Sequence, residues 1–532
     1  MIIKYNVVLE TPAMTGKDGV IGKDLDLITK LDNDGLPYFS ASQVKGILKE
    51  KVALFSTALN FGFPVNKYFG EEGEVESGMR FSPLTIDSKE YLEYKEFLTD
   101  DRSGIRIDKA SKTTAEGSLF SYEFIRKGLK FNGEIEIFHA LEGENLKFFK
   151  ACLERIDAIG GLKSRGLGKV TFKVLETTVN KDSLNKKLDT GSFKEYSYTL
   201  KPLENLILKN QEIGNEITTN NYIHGGTLRG AIISLLDREF NVDTEALVKN
   251  LKVSQGLPKN HFVASASIFQ SKYPVKNGKV VRVNKLLSKN SEDKVDGKEV
   301  KFERYGSPVV NVHFEKLVIN KQSEINIAID AETKTSEEGK LFNKEILLAK
   351  DMEFSGKIVL SEDIAKTLSN RHIYIGKNKS KGFGKCLITF EPTNAKKEKV
   401  DSNKLEKLSK EIGTDKKYFT IDFNSDMILP FIDTVSIGDK IKELLGLESV
   451  VWEESKSFIN IISIGGYNQL NKIRKSTEFA IAKGGVLTFS TTGFTNDLIE
   501  RLNSIQEKGI GSRKNEGFGD IEISSKNHLE VK

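Results

Sequence analysis

The sequence predicts an α+β fold built from repeated modules, and three observations support this prediction. A glycine-rich segment occurs three times, and each copy runs into a short strand-like stretch. A second motif occurs at 37–49 and 221–233, where a tyrosine, a small-residue turn, a basic residue and a glycine follow in that order. Residues 131–138 alternate between apolar and polar side chains, as a strand with one wet face should. Repeats with several strands and one or two helices suit layered α+β modules.

The glycine-rich copies span 159–170, 375–386 and 509–521. The second copy follows the first in register, at an offset of 216 residues, and we align the third with a slightly different spacing. Amphipathic stretches at 145–158 and about 496–507 precede the first and third copies and predict helices.

The tyrosine motif predicts a turn that caps a helix, with Lys45 or Arg229 in the first turns of that helix. Polar stretches at 179–187 and from 393 onward predict linkers. We therefore predict three modules. They are residues 1–180 with a possible catalytic aspartate loop, residues 195–392 with a Lys-rich insertion, and residues 415–532.

Length and composition exclude several classes of protein. At about 150 residues per domain, 532 residues correspond to three or four domains. The chain is 38% hydrophobic and 29% charged, which is typical of a soluble globular protein. We see no membrane-spanning stretch and no signal peptide. The only cysteines, Cys152 and Cys386, exclude a disulfide framework and a Cys-rich zinc module, and we expect a cytoplasmic protein.

The net charge of +5 is mildly basic and does not by itself indicate nucleic acid. Lysines concentrate in two segments, 272–301 and 396–417. We interpret 396–417 as a solvated segment because acidic residues dilute its charge. For 272–301, a solvated loop and an anion-binding segment both remain open.

Glycine-rich loops beside strands can bind phosphate, because backbone amides approach anions closely where no side chain intervenes. A nucleotide P-loop requires a lysine where this chain has Leu167 and Phe383, and the loops lead into strands rather than helices. NTP and NAD sites are therefore excluded. Basic residues in every copy suit a phosphodiester backbone. The alternative is a tight turn that only closes each module.

Residues that could catalyse a reaction are few. None of the six histidines is paired at metal-ligand spacing. An acidic cluster spans 24–34 and includes Asp24, Asp26, Asp32 and Asp34. Its carboxylates could hold Mg²⁺ or orient a 2′-hydroxyl for strand cleavage. A solvated acidic loop is the alternative.

Taken together, these motifs resemble the RAMP (repeat-associated mysterious protein) superfamily of CRISPR-associated proteins, in particular the large multi-RAMP subunits of type III-D effector complexes. Gly35 to Gly46 resembles the first motif of backbone RAMP subunits, as does the stretch from Arg106 through Phe120. Tyr222 to Ala231 resembles the corresponding motif of a second module. Gly465 to Asn468 and Gly509 to Gly519 resemble a C-terminal module.

The resemblance implies tandem ferredoxin-like, RRM-related modules with RNA lying against the glycine-rich loops. It implies binding of CRISPR guide RNA (crRNA) and of target RNA. The implied setting is a type III antiviral complex, beside a large polymerase-like subunit and small helical subunits. Related backbone subunits cut target RNA with an aspartate before the first motif. Asp26, with Asp24 as its neighbour, is the closest match, in the first module only. No tightly bound cofactor is implied, and Mg²⁺ would be needed only for cleavage.

From the repeats and the resemblance, we expect two groups of residues to contact guide RNA: cations that neutralise phosphates and the glycines beside them. They are Lys45, Lys49, Gly161, Lys163, Arg165, Gly166, Gly168, Arg229, Lys379, Lys381, Gly382, Gly384, Arg513, Lys514, Gly517 and Gly519.

Two other functions remain open. The chain could be a guide-RNA-processing endoribonuclease of the same superfamily, which would use histidine as acid–base and need no metal. It could also be a purely architectural subunit that holds protein partners and touches RNA little.

Overall fold

The computed structural model describes most of the chain, with short gaps between the described ranges. These ranges are 1–18, 25–71, 77–108, 110–114, 119–178, 186–275, 278–290, 293–295, 297–306, 308–329, 336–349, 351–393, 397–431, 435–468 and 473–531. Asp24 lies outside them, as do Lys109 and residues 115–118 of the Arg106–Phe120 motif. Most of the first predicted linker and residues 394–396 of the second also lie outside.

The first module is a four-stranded antiparallel sheet covered by two helices. In chain order its strands are Ile2–Leu9, Met79–Phe81, Lys130–Ile137 and Val170–Thr178. The helices Ala41–Ala58 and Gly143–Glu154 follow the first and third of these strands. Across the sheet the strands lie in the order second, third, first, fourth, which is the ferredoxin-like order.

The second module repeats this arrangement with one additional edge strand. Its four sheet positions are filled by Phe193–Pro202, Lys252–Val253 with Leu257–Pro258, Phe354–Ser361 and Lys385–Pro392, and Arg371–Tyr374 is the added strand. The helix Gly225–Glu239 follows the first strand, and Glu362–Leu368 follows the third. A further helix, Thr244–Asn250, precedes the second strand.

The third module has the same strand order on a smaller scale. Its strands are Lys417–Phe423, Val451–Trp452, Val486–Thr491 and Ile521–Ile523. The helices Ile437–Leu444 and Asn496–Lys508 occupy the ferredoxin-like positions, and Ser402–Ile412 precedes the first strand. The three sheets confirm the predicted α+β, tandem ferredoxin-like fold class, while the predicted module boundaries stay predictions.

Each module also carries a smaller side sheet, and the second carries an insertion. The first side sheet contains Gly16–Asp18, Leu27–Thr29, Thr99–Gly104 and Phe120–Ile125. The second contains Lys209–Ile213, Glu216–Thr219, Lys321–Ile329 and Ser336–Leu347, and the third contains Met427–Ile428, Ile461–Ile464 and Glu478–Ile481. The insertion includes the sheet Ile268–Ser271, Arg282–Asn284 and Phe302–Arg304, and the pair His261–Val263 and Val309–Asn311.

The remaining α-helices and β-strands of the described chain are short. They are the helices Val65–Phe69, Ser88–Tyr91 and Asn527–Glu530 and the strand pairs Lys294–Val295 with Lys298–Glu299 and Tyr467–Asn468 with Ile473–Arg474. Among the described residues, no helix combines the length and the apolar character needed to cross a membrane.

We call the helix after the first strand of each module its leading helix, and apolar spacing explains how it packs. Val44, Leu48 and Val52 recur every four residues on the first leading helix and are fully buried. Leu228, Ile232 and Leu236 do the same on the second. Burying each such side chain stabilises the fold by about 1.5–3 kcal/mol. The three modules therefore have separate apolar cores beneath their leading helices.

The predicted caps are only partly confirmed. Ser40 and His224 stand directly before the leading helices with extended backbone, but neither side chain caps an amide of its helix. The Ser40 hydroxyl instead bonds the Ser42 hydroxyl at 3.0 Å. His224 Nε2 lies 3.1 Å from the side-chain Nδ2 of Asn220 and 3.2 Å from the Tyr222 hydroxyl. The side chains at these turns are thus engaged elsewhere.

Candidate nucleic-acid interface

The three glycine-rich segments, which we call the first, second and third glycine loops, have one backbone conformation. Positive φ recurs at four equivalent positions: Gly160, Gly376 and Gly511; Leu162, Asn378 and Arg513; Gly166, Gly382 and Gly517; Gly168, Gly384 and Gly519. The third copy is therefore in register with the others, and our expectation of a different spacing is wrong. This register places Lys514 at the position of Lys163 and Lys379. It places Glu516, not a cation, at the position of Arg165 and Lys381.

The last of the four positions in each loop must be glycine, because there is no room for a side chain. A Cβ on Gly168, Gly384 or Gly519 would overlap the carbonyl oxygen of Ile159, Ile375 or Ile510. The amides of these glycines donate to the segment after the first strand of their own module, for example from Gly168 to Pro12 at 2.7 Å. Gly161 likewise donates to Met14 at 2.9 Å. Because these amides close the module, an anion at the loops would be contacted mainly through side chains.

The second glycine loop docks on the first module. A Cβ on Gly382 would lie 2.9 Å from the Cβ of Ala41, the first residue of the leading helix, and 2.8 Å from Pro83. The amide of Phe81 donates to the carbonyl of Ser380 at 3.3 Å. The loop is thus fitted between the start of the leading helix and the second strand of the preceding module.

The third glycine loop docks on the second module in the same way. A Cβ on Gly517 would lie 2.6 Å from the carbonyl oxygen of Val253. Gly225, the first residue of the second leading helix, is so close to Val253 and Glu516 that no side chain fits there. The contact between modules therefore repeats, with the loop of one module against the leading helix of the module before it.

The first glycine loop has no such partner among the described residues. The space around a Cβ on Gly166 contains no atom of the described chain within 4 Å. Lys163, Ser164 and Arg165 are all exposed. The Arg165 guanidinium lies 5.5 Å from the ring centre of Phe120, a side-sheet residue. The three equivalent loops thus differ in exposure: two are docked and one is open.

Cations gather at the contact between the first and second modules. Lys45 Nζ donates to the hydroxyls of Ser77 at 3.0 Å and Ser380 at 3.1 Å. Burial lowers the pKa of Lys45 to about 8, and repulsion from Lys381 and Lys49 adds to this shift. Lys381 and Lys49 are exposed. The Lys45 ammonium is therefore partly desolvated beside like charges, a setting that favours a bound anion.

The cations at the contact between the second and third modules are instead engaged by partners inside the protein. Arg229 matches Lys45, but its Nε donates to the Leu251 carbonyl at 3.0 Å and its Nη2 to the Val248 carbonyl. Glu516 accepts from Arg513 at 2.7 Å and from Lys475 at 2.6 Å. Burial raises the pKa of Glu516, but these hydrogen bonds outweigh it and the net shift is downward. Arg229 and Arg513 are thus engaged inside the protein.

A glycine follows the cation in both leading helices. Gly46 follows Lys45, Gly230 follows Arg229, and both glycines are exposed. No described atom lies within 4 Å of a Cβ built on either of them. A glycine inside a helix costs about 1 kcal/mol relative to alanine. Because no described part of the chain requires these glycines, we interpret them as leaving room for an external molecule.

The candidate catalytic aspartate lies near the first glycine loop. Asp26 is exposed, and its Oδ2 accepts from the amide of Ser121 at 2.7 Å. Ser121 follows Phe120, the ring that Arg165 approaches. Strand pairing places Leu27 opposite Tyr122 and Ile217 opposite Lys344, so Glu216 occupies the position of Asp26 in the second module.

No metal site is evident in the described ranges, where no three His, Cys, Asp or Glu side chains form a group that could hold an ion. A Mg²⁺ requirement thus stays a prediction. Sequence reasoning took residues 215–219 as the matching stretch of the second module, but it did not single out Glu216 because it looked only for aspartate. The structure supports this register: Thr29 and Thr219 each donate their amide to a glutamate of the same side sheet, Glu123 or Glu345.

The remaining predicted cations lie on the second and third glycine loops. Lys379 is partly exposed, and Lys514 is exposed on the third glycine loop. The Lys-rich segment 272–301 belongs to the insertion of the second module, where Lys272, Lys279, Lys298 and Lys301 are exposed. Asn284 of this segment bonds His528 near the C-terminus at 3.1 Å. The insertion thus packs against the third module.

The comparisons with known proteins agree with this architecture. The family model described as "RAMP superfamily" matches residues 6–171 and 207–387, which together are more than half of the chain. The fold and loops thus define a multi-module RAMP architecture, and the chain belongs to the RAMP superfamily. This confirms the family that the sequence motifs resemble. The third module lies outside the matched residues although its strand order is the same.

Solved structures of type III-B Cmr-beta complexes are among the similar ones. One chain, from a complex bound to cognate target RNA, is 14% identical, covers 33% of this chain and 97% of its own length, and has a TM-score of 0.27. Another, from a complex bound to target RNA and AMPPnP, is 16% identical, covers 57% and 91%, and has a TM-score of 0.32. Values this low do not carry a functional assignment. No curated protein matches the chain.

Proposed function

We propose that the chain is a crRNA-binding subunit of a type III CRISPR effector complex. In this proposal, the RNA backbone passes the exposed faces of the first two leading helices. The observation that carries it is the pair of exposed helical glycines, Gly46 and Gly230, each directly after a cation and each without a described neighbour. Phosphate recognition needs both charge and close approach. The first position offers both through Lys45, whereas the second offers close approach, because Arg229 is engaged by backbone carbonyls.

The contact between the first and second modules is the strongest part of the proposed path. Lys45 is held by Ser77 and Ser380, so its ammonium is positioned before any ligand binds. Lys381 comes from the other module, so the site forms only when the two modules are docked. A phosphate would relieve the repulsion between Lys45 and Lys381, and we expect it to raise the pKa of Lys45 toward its ordinary value.

The other predicted contacts contribute to the proposed path either directly or indirectly. Lys49, Lys163, Arg165, Lys379 and Lys514 extend the proposed path. Arg229 and Arg513 serve it indirectly, because their guanidinium groups hold backbone and carboxylate partners. Target RNA and the other type III subunits are the proposed partners.

Gly46→Leu tests the proposal directly. A leucine there would touch no described part of the chain, so the fold should tolerate it. It would, however, obstruct an RNA backbone on the helix. We expect at least a tenfold loss of affinity for labelled guide RNA in a gel shift. Ala58→Leu, at the exposed end of the same helix, is the matched control and should bind like the wild type. Unchanged binding by Gly46→Leu would contradict the proposal.

Cleavage of target RNA is a second proposed activity, favoured by the position of Asp26 beside Ser121 and the Arg165–Phe120 pair. Asp26→Asn should abolish Mg²⁺-dependent cleavage by the assembled complex and leave guide binding intact. Glu216→Gln, the same change at the equivalent position, tests whether only the first module cuts. Continued cleavage by Asp26→Asn would rule out the assigned role.

A further inference from the structure

The sheet in the insertion of the second module has rows of side chains that point to opposite faces. Phe269 pairs with Arg304 across two strands, and its ring meets the Phe458 ring of the third module edge-on, with 6.1 Å between the ring centres. Gln270 pairs with Glu303 in the next row, and its side-chain amide donates to the Glu303 carboxylate at 2.7 Å. Because side chains alternate along a strand, this row points away from the Phe458 contact.

Two lysines stand opposite each other on the same face as Gln270. The pairing of Ser271 with Phe302 continues by one residue, where the amide of Lys272 donates to the carbonyl of Lys301 at 2.9 Å. Lys272 is two residues beyond Gln270, so the alternation returns it to that face. Both lysines are exposed. Like charges directly opposite each other in an antiparallel pair are destabilising, so the fold itself does not explain this arrangement.

Two more cations extend this pair. Arg282 pairs with Gln270 from the other neighbouring strand, and its guanidinium lies 5.1 Å from the ring centre of Tyr305. The Lys316 ammonium lies 5.0 Å from the centre of the same ring. We call these four residues the cation strip: Lys272, Lys301, Arg282 and Lys316.

The cation strip differs from other lysines of the insertion in its partners. Lys285 pairs with Asp293 at 2.5 Å, and Lys289 pairs with Glu411 at 3.6 Å. Within the described part of the chain, no carboxylate forms an ion pair with a member of the strip. The strip therefore presents positive charge that is available to an external anion.

An exposed aromatic ring adjoins the strip. Tyr273 is 63% exposed, and the Lys272 ammonium lies 6.0 Å from its ring centre. Surfaces that bind single-stranded nucleic acid combine these two features, because cations follow the phosphates and aromatic rings stack on the bases. A base-paired duplex keeps the faces of its bases inside the stack, so the open ring favours a single strand.

From this arrangement, we propose that the cation strip and Tyr273 form a second RNA-binding surface, in addition to the leading helices. The strip neutralises phosphates of a single-stranded segment, and Tyr273 stacks on one of its bases. The choice of RNA rests on the proposed function. Guide and target RNA share this chemistry, and the experiment distinguishes them.

The first measurement removes the two opposed lysines from the full chain. Lys272→Gln combined with Lys301→Gln should lower the slope of log affinity against log salt by about 1.4, because each lost contact with single-stranded RNA contributes about 0.7. The matched control combines Lys407→Gln with Lys410→Gln, two exposed lysines of the helix Ser402–Ile412, and should leave the slope unchanged.

The probe is labelled guide RNA in one series and labelled target RNA, added to the guide-loaded chain, in the other. The strand whose slope falls is the one that the strip binds. Equal slopes for the two double variants in both series would overturn the second surface and leave the proposed function standing. Failure of the wild type to bind guide RNA would contradict both.

Tyr273→Ala tests base stacking independently. We expect about a fivefold or greater loss of affinity for the strand identified by the lysine variants. Tyr94→Ala, at another exposed tyrosine, is the matched control and should bind like the wild type. With an abasic version of the same strand, Tyr273→Ala and the wild type should bind equally. An unchanged affinity for the normal strand, or a loss that persists with the abasic strand, would overturn the proposal.

Discussion

The two contacts between modules share a backbone geometry but differ in charge. At the first, Lys381 on the glycine loop lies close enough to Lys45 on the leading helix to lower its pKa. At the second, Glu516 takes the loop position and Arg229 the helix position. Glu516 also binds Arg513 and Lys475. The charge at the first contact is therefore positive and unbalanced, whereas the charge at the second contact is neutralised.

This difference distinguishes the features that build the fold from the charges that could bind a ligand. The glycines and the backbone hydrogen bonds of the loops are shared by all three modules, so they serve to close each module. In the second and third modules the loop also joins the module to the one before it. The charges vary between the contacts and cost stability where they are unbalanced. Unbalanced charge that the fold does not need is typical of a binding site. We infer that the first contact binds an anion and that the second mainly joins modules.

The largest expected effect concerns a buried ion pair that joins the first two modules. Arg80 is 4% exposed, pairs with Glu204 of the second module and stacks on Tyr374 at 4.3 Å. Arg80→Ala leaves the largely buried carboxylate of Glu204 without its cation, so we expect a loss of about 3–5 kcal/mol in chemical denaturation. Arg126→Ala, which breaks an exposed pair with Asp100, should cost less than about 1 kcal/mol. Similar losses in both would contradict this account of the contact.

Exchanging the charges of the two contacts should also exchange their effects on stability and on RNA affinity. Glu516→Lys removes two ion pairs and places a cation near Arg229, so we expect a loss of about 2–4 kcal/mol in unfolding free energy. Lys381→Glu should raise the unfolding midpoint and lower RNA affinity about tenfold or more. Thermal unfolding and gel shifts with guide RNA measure both effects. If Lys381→Glu destabilised the free protein, repulsion at the first contact would be disproved.

Lys45→Met should change the stability less than Arg80→Ala does, and it should stabilise the protein rather than destabilise it. The pKa of Lys45 falls from 10.5 to about 8 on folding. The unfolded chain therefore binds more protons between these values, and wild-type stability rises with pH across that window. Removing the charge should stabilise the protein by about 1–2 kcal/mol at pH 7 and flatten this pH dependence. It should also weaken RNA binding.

The pH dependence of binding offers a check on the same lysine. Wild-type affinity for RNA should fall between pH 7 and 9.5 as Lys45 loses its proton, while the Lys45→Met variant should change less. If both proteins responded to pH in parallel, another group would carry the effect.

Sequence reasoning predicted the architecture because repeats and apolar periodicity are local signals. The glycine loops, the helices with Lys45 and Arg229, and the strands after each loop are visible in this way. Docking could not be predicted, since it brings together residues more than 300 positions apart, such as Lys45 and Ser380. The partners of Arg229 and Arg513 could not be predicted for the same reason. The register of the third loop was missed because Glu516 breaks the basic pattern.

The most direct test is the salt dependence of guide-RNA binding by the wild type, Lys45→Met, Lys381→Ala and the double variant. Each lost phosphate contact should lower the slope of log affinity against log salt by about 0.7 for single-stranded RNA. We expect the double variant to lose about twice that amount. Arg229→Met, the same kind of change at the second contact, should alter the slope little. A slope unchanged by the double variant would contradict a phosphate site between the first and second modules.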